Sequence, residues 1–212
     1  MAGNRRDFAH SMDDIEAKVI ELFAMIAEDL PAATQALLGG GREAVTALAE
    51  REQVIDALYV EIEQLAGREI LLQAPVGSDL RFLLTVLRIV PELERSHDLV
   101  MDIAARAGRM CETDLSAGSR ELTRQMADLA TGMWRQATDA WYNRDRTAVT
   151  ALGERGSEMD QLHASLTAEI ASGQMPTQVT MEMTLAARDY ERLGAHAVNI
   201  ARRIAYLAGR RG

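Results

Sequence analysis

Apolar residues recur along this chain at steps of three and four, the spacing that lines one face of an α-helix. Ile15, Val19, Leu22, Ile26, Leu30, Ala33 and Leu37 form a first stripe, which the glycines at 39, 40 and 41 end. Val45, Leu48, Ile55, Leu58, Ile62 and Leu65 form a second, running to a break over Pro75 to Ser78. A third helix is predicted from near Asp79, with Leu83, Val86, Val90, Leu93, His97 and Val100 on its apolar face. It fades in the Gly- and Ser-containing segment 108–119, which reads as a linker. Leu122, Met126, Leu129, Met133, Ala137 and Trp141 make a fourth stripe up to a polar turn at Asn143 to Asp145. Val149, Leu152, Met159, Leu162 and Leu166 make a fifth, closed by Gly173 and Pro176, and Ala187, Tyr190, Leu193, Ala197, Ile200 and Ile204 make a sixth. The predicted fold class is therefore all-α, with six helices that would each extend roughly 40 Å at a rise of about 1.5 Å per residue.

The stripes fall into two related halves. Ala44-Val45-Thr46-Ala47-Leu48 recurs as Ala148-Val149-Thr150-Ala151-Leu152, and the same shift of 104 superimposes Glu50-Arg51 on Glu154-Arg155, Asp56 on Asp160 and Leu58 on Leu162. After a connection seven residues shorter, Leu93-Glu94-Arg95 aligns with Tyr190-Glu191-Arg192, Asp102 with Asn199, and Ile103-Ala104 with Ile200-Ala201. Three amphipathic helices are the fewest that enclose a continuous apolar core by packing alone. The expected organisation is two tandem, pseudo-symmetric three-helix bundles, residues 1–110 and 111–212.

Composition agrees with this and narrows the function. Only 4% of the 212 residues are aromatic and four are Pro, while 48% are hydrophobic, ordinary for a helical globular chain. Cys111 is the single cysteine, so no intramolecular disulfide and no Cys-rich zinc site are expected, and a reducing compartment fits. Uncharged stretches such as 30–41 and 170–181 fall short of the roughly 18 apolar residues of a spanning helix. The N-terminal segment, interrupted by Asp7, His10, Asp13 and Asp14, lacks the apolar run of a signal peptide, so a cytoplasmic location is expected. A net charge of −9 argues against nucleic-acid binding.

Two motifs then carry a family resemblance. Pro75-Val76-Gly77-Ser78-Asp79-Leu80-Arg81 resembles the Pro-Val-x-x-Asp-Leu-Arg of the PhoU family, and Leu93-Glu94-Arg95-Ser96-His97-Asp98 resembles its Leu-Glu-Arg-Ile-Gly-Asp. The second copy, from Glu191-Arg192-Leu193-Gly194-Ala195-His196 to Asn199-Ile200-Ala201, resembles Glu-Arg-Ile-Gly-Asp-His-Ala-x-Asn-Ile-Ala, with Ala195 where the family usually has Asp. The resemblance covers nearly the whole chain. It implies a negative regulator of the phosphate-starvation response, an adaptor between the ATPase subunit of the phosphate ABC importer and a sensor histidine kinase. It also implies a homodimer that meets the membrane only through its partners.

Glu94 and Asp98, four apart, lie on one helix face about one turn from each other, and two hard oxygen donors so placed can share a divalent or ferric ion. The resemblance adds a metal role, with iron, manganese, magnesium or zinc as the candidates. The second-half equivalent is expected to be weaker, because Ala195 supplies no oxygen and leaves Glu191 with Asn199 or with residues of the preceding helix. Glu50, Asp56, Glu154 and Asp160 repeat on the middle helices and either complete these sites or are solvated charges. A surface ladder pairing Asp98 with Arg95 and Asp102 with Arg106 is the plainer account of the acidic face.

Asp79 and Arg81 open the third helix. Ser78 or Asp79 as a helix cap explains them structurally, while the resemblance assigns them to partner contacts. His97 falls on the apolar stripe and reads as a buried, hydrogen-bonded histidine. No Gly-rich phosphate loop, Gly-x-Ser-x-Gly turn or Cys/His nucleophile pair occurs, so an enzyme is not expected. The enzymatic alternative is a ferritin-like carboxylate di-iron protein, because Glu94-x-x-His97 and Asp160-x-x-His163 approximate Glu-x-x-His pairs.

Overall fold

A computed structural model of the chain describes residues 2–209, apart from the side chains of residues 2–5, 42, 43 and 112. It contains six long α-helices: α1 (Ala2–Gly39), α2 (Arg42–Gln73), α3 (Gly77–Arg106), α4 (Ala117–Asn143), α5 (Ala148–Ala171) and α6 (Thr177–Leu207). Two short 3₁₀ turns, Ala107–Arg109 and Glu112–Asp114, occupy the predicted linker. The glycine run ends α1 as expected, with Gly40 in the left-handed region at φ 72°. The third helix begins at Gly77, two residues before the predicted start. Its N-cap is Val76, whose side chain makes no capping bond, so neither Ser78 nor Asp79 caps it; Asp79 lies in the first turn.

Helices α1, α2 and α3 pack on one another, as do α4, α5 and α6, so each half is a three-helix bundle. The halves join along two seams, α1 against α4 and α3 against α6. Their apolar faces merge into one continuous core. Phe23 of α1 lies 6.3 Å, ring to ring, from both Trp134 and Trp141 of α4, and Phe82 of α3 lies 5.9 Å from Trp141. Trp134, Trp141, Met126 and Met133 are fully buried, so the fourth stripe is core.

Polar groups also cross the α3–α6 seam. Arg106 donates to Asp189 at 2.7 Å and to Glu182 at 3.2 Å, and Ser96 Oγ lies 2.9 Å from His196 Nδ1. At the same depth Thr34 of α1 and Tyr190 of α6 share a hydroxyl–hydroxyl bond of 2.8 Å. Burial pushes the Tyr190 phenol well above its ordinary range, so it stays neutral and serves as a hydrogen-bonding strut.

Candidate functional site

The first-half acidic set is brought together from two helices. On α3 Glu94 is half-buried and Asp98 exposed, and Asp56 faces them from α2. Burial, then repulsion from Asp98 and Asp56, pushes the Glu94 carboxyl above its ordinary range. Burial also raises Asp98; the neighbouring His97 acts against it, and Asp56 and Asp102 reinforce it. Glu63 of α2, which sequence reasoning missed, adds to the charge on Glu94 and acts on the Tyr59 hydroxyl, itself raised by burial. Its spacing of seven from Asp56, two helical turns on the same face, is the signal that could have found it.

This face is a concentration of mutually repelling carboxylates, which is what attracts a cation. Among the described residues, however, no three His, Cys, Asp or Glu side chains converge on a point that could hold a metal ion. The arrangement is an acidic surface whose carboxylates would have to swing inward, or share the ion with water, and not a closed cage. The expected charge ladder is not formed either. Arg95 pairs with Glu92 at 3.2 Å rather than with Asp98, and Arg106 turns into the seam, away from a surface role with Asp102.

In the second half, Asp160 of α5 and Glu191 of α6 line a surface cavity of about 340 Å³ together with Ser157, Ala195, Asn199 and Arg202. Ala195 is exposed at its wall, so an aspartate there would reach the same space. Arg188 approaches Glu191 at 3.5 Å, and Glu191 Oε2 is buried without a hydrogen-bond partner. Glu50 joins neither acidic site; it lines a separate hollow between α1 and α2 with Glu21 and Glu61. Glu154 is exposed on α5.

His97 is interior, 1% exposed, with Nε2 3.2 Å from Asp29 Oδ2 on α1. Arg51 of α2, partly exposed, reaches the other oxygen of Asp29 at 3.0 Å, so the buried Asp29–His97 pair is linked to the surface of the first half. His97 thus turns to α1 while Glu94 is set against α2, so the first of the two pairs, Glu94 and His97, does not face one site.

Asp79 is exposed, and Ser78 Oγ donates to it at 3.3 Å. Arg81 is partly buried and donates to the carbonyl of Gly209, tying the end of α6 to the start of α3. Close by in the chain, Leu71 and Leu72 in the last turn of α2 and Val76 just before α3 are exposed by 84%, 65% and 79%. Three large apolar side chains are thus left in water near the α2–α3 turn. The helical stripes conceal this feature, because Leu71 and Leu72 follow the last stripe position read in α2, Leu65, and Val76 lies in the break.

The PhoU domain matches twice, over residues 12–107 and 123–204. The chain belongs to the PhoU family. A relative from Zymomonas mobilis, named a phosphate-specific transport system accessory protein PhoU homologue, is 28% identical over 207 residues, covering 95% of this chain and 86% of the relative. A protein of the same name from Synechocystis is 30% identical over 207 residues, covering 96% and 92%. The fold is shared with the crystal structure of PhoU from Pseudomonas aeruginosa, at a TM-score of 0.87 and 23% identity over 94% of this chain and 98% of that one. It is shared equally with a phosphate transport system regulatory protein PhoU from Streptococcus pneumoniae, at 0.86 and 23% over 95% and 97%. Both PhoU matches fall on the three-helix units seen in the structure, one in each half. Among the described residues no helix is long and apolar enough to cross a membrane.

Proposed function

We propose that this PhoU-family protein is a negative regulator of phosphate uptake and of the phosphate-starvation response, working in the cytoplasm as an adaptor between the phosphate importer's ATPase subunit and the sensor histidine kinase. The observation that carries the reading is the double PhoU match over most of the chain, with relatives aligned over most of their own length and named as accessory proteins of phosphate-specific transport. The work is recognition and not catalysis. The apolar tip of Leu71, Leu72 and Val76, close to Asp79 in the chain, is the surface we assign to one partner, with Arg81 holding that end of α3 in place. The protein works as a homodimer and reaches the membrane only through its partners.

In this reading a cation such as iron, manganese, magnesium or zinc sits at Glu94 and Asp98, with Asp56 completing the set from α2. Mutual repulsion of these carboxylates supports it. Glu191 and Asp160 form the weaker counterpart. The bound cation would neutralise the acidic face and so alter what can dock on it.

The test is reporter expression from a phosphate-starvation promoter in phosphate-rich medium. Deleting the gene, with any paralogue also removed, should switch the reporter on, and the intact protein should restore repression. A reporter that stays repressed, with neither importer ATPase nor kinase recovered in pull-downs, would defeat the reading.

A further inference from the structure

The repeat relates every α3 position to the α6 position 97 later, as Leu93 is related to Tyr190. The α3–α6 seam should therefore look alike at its two ends. At one end Arg106 meets Asp189 at 2.7 Å in a buried pair. The corresponding residues at the other end are Arg203 and Glu92, an arginine and a carboxylate again, but here no pair forms. Glu92 accepts instead from Arg95 at 3.2 Å and from the Asn199 amide at 3.3 Å, and a groove of about 420 Å³ opens between the helices.

Arg88, Arg202 and Arg203 line that groove, with Glu92, Asn199 and Tyr206. None of the three arginines is ion-paired with a carboxylate among the described residues: Arg202 donates to Asn199 Oδ1 at 2.9 Å, and Arg88 lies over the Tyr206 ring at 5.9 Å. The corresponding first-half residues explain the divergence. Arg202 replaces Ala105, Asn199 replaces Asp102 and Ala195 replaces Asp98, so this side of α6 loses two carboxylates and acquires a guanidinium. The walls are braced by the Ser96–His196 bond and the Arg106–Asp189 pair, so the groove needs little ordering to receive a ligand.

We propose that the α3–α6 groove lined by Arg88, Arg202 and Arg203 binds a small phosphate-bearing anion. A guanidinium fork matches phosphate oxygens in pairs, and three of them suit an anion carrying more than one negative charge. The volume is that of a small-molecule pocket. The overall charge of −9 repels anions, so binding here must come from these residues and not from a general basic surface. The groove is separate from the Glu94–Asp98 face, adjoins the Glu191–Asp160 cavity through the shared Asn199 and Arg202, and does not depend on the adaptor role.

Titration calorimetry on the intact, chelator-treated protein tests it, with orthophosphate, pyrophosphate and ATP as separate probes, and sulfate and an acidic peptide as controls. At least one phosphate should bind saturably at one site per chain and weaken as salt is raised. The probe that binds best distinguishes free phosphate from a polyphosphate or nucleotide. Arg88→Ala, Arg202→Ala and Arg203→Ala should each weaken that binding about tenfold, the worth of one charge-assisted contact. Glu92→Gln should strengthen it, which a purely structural role for Glu92 would not do, and this arm decides the matter if an arginine variant misfolds. Saturable binding by no phosphate, equal binding by sulfate, preference for the acidic peptide, or unchanged affinity in folded arginine variants would each overturn the proposal.

Discussion

Arg106 of α3 and Asp189 of α6 meet at 2.7 Å with only 6% of each residue exposed, in an ion pair that joins the two halves of the molecule. Burial raises the Asp189 carboxyl even though the Arg106 guanidinium pulls it the other way, so neither charge is well placed without its partner. Arg106→Ala should therefore destabilise the protein by about 3–5 kcal/mol, because it strands a buried carboxylate. Replacing both residues, as Arg106→Met with Asp189→Leu, should recover most of that loss. Urea unfolding of the two variants checks this; equal losses in both would mean that the cost lies in packing and not in charge.

The acidic face should be strained electrostatically when metal is absent. Glu94 and Asp98 have folded-state pKa values raised above their ordinary ones. The folded protein thus holds protons that the unfolded chain releases, and stability present below the ordinary carboxylate pKa is lost as pH rises through the raised values. In chelated protein Glu94→Gln and Asp98→Asn should each stabilise by a few tenths of a kcal/mol at pH 7 after solvent screening, or ~1 °C in Tm. The gain should vanish near pH 4. Metal content of protein purified without chelator should move the other way, falling sharply in Asp98→Ala and rising in Ala195→Asp. Full metal retention in Asp98→Ala would assign the face to electrostatics alone.

The α2–α3 connection places two residues in the left-handed region, Ala74 at φ 43° and Gly77 at φ 62°. Only glycine adopts that conformation without cost, and a Cβ at Gly77 would meet nothing within 4 Å, so substitution there tests the backbone alone. Gly77→Ala should lower stability by about 1 kcal/mol, and Ala74→Gly should leave it unchanged or raise it by up to about 1 kcal/mol. Thermal melts of both variants check the pair. A stabilising Gly77→Ala would show that the connection is set by something other than this conformation.

Helix number, the turns at Gly40 and Gly173, the two-half repeat and the interior position of His97 were legible in the amino-acid sequence, because each depends on local pattern. Apolar spacing reports which face of a helix turns inward whatever that face meets. The PhoU resemblance was legible for the same reason, residing in short contiguous motifs. Only the tertiary structure decided which charges meet. Arg106 and Asp189 stand 83 residues apart, and His97 finds Asp29 across 68, so neither pair has a local signature. Local spacing on a helix surface pairs Asp98 with Arg95, yet Arg95 turns to Glu92 and Asp98 is left among carboxylates. Arg88 and Arg203 line one groove only because the two halves pack face to face. Periodicity determines which side chains are buried, but the value of a charge depends on what lies opposite it across a few ångströms, and long-range packing alone settles that.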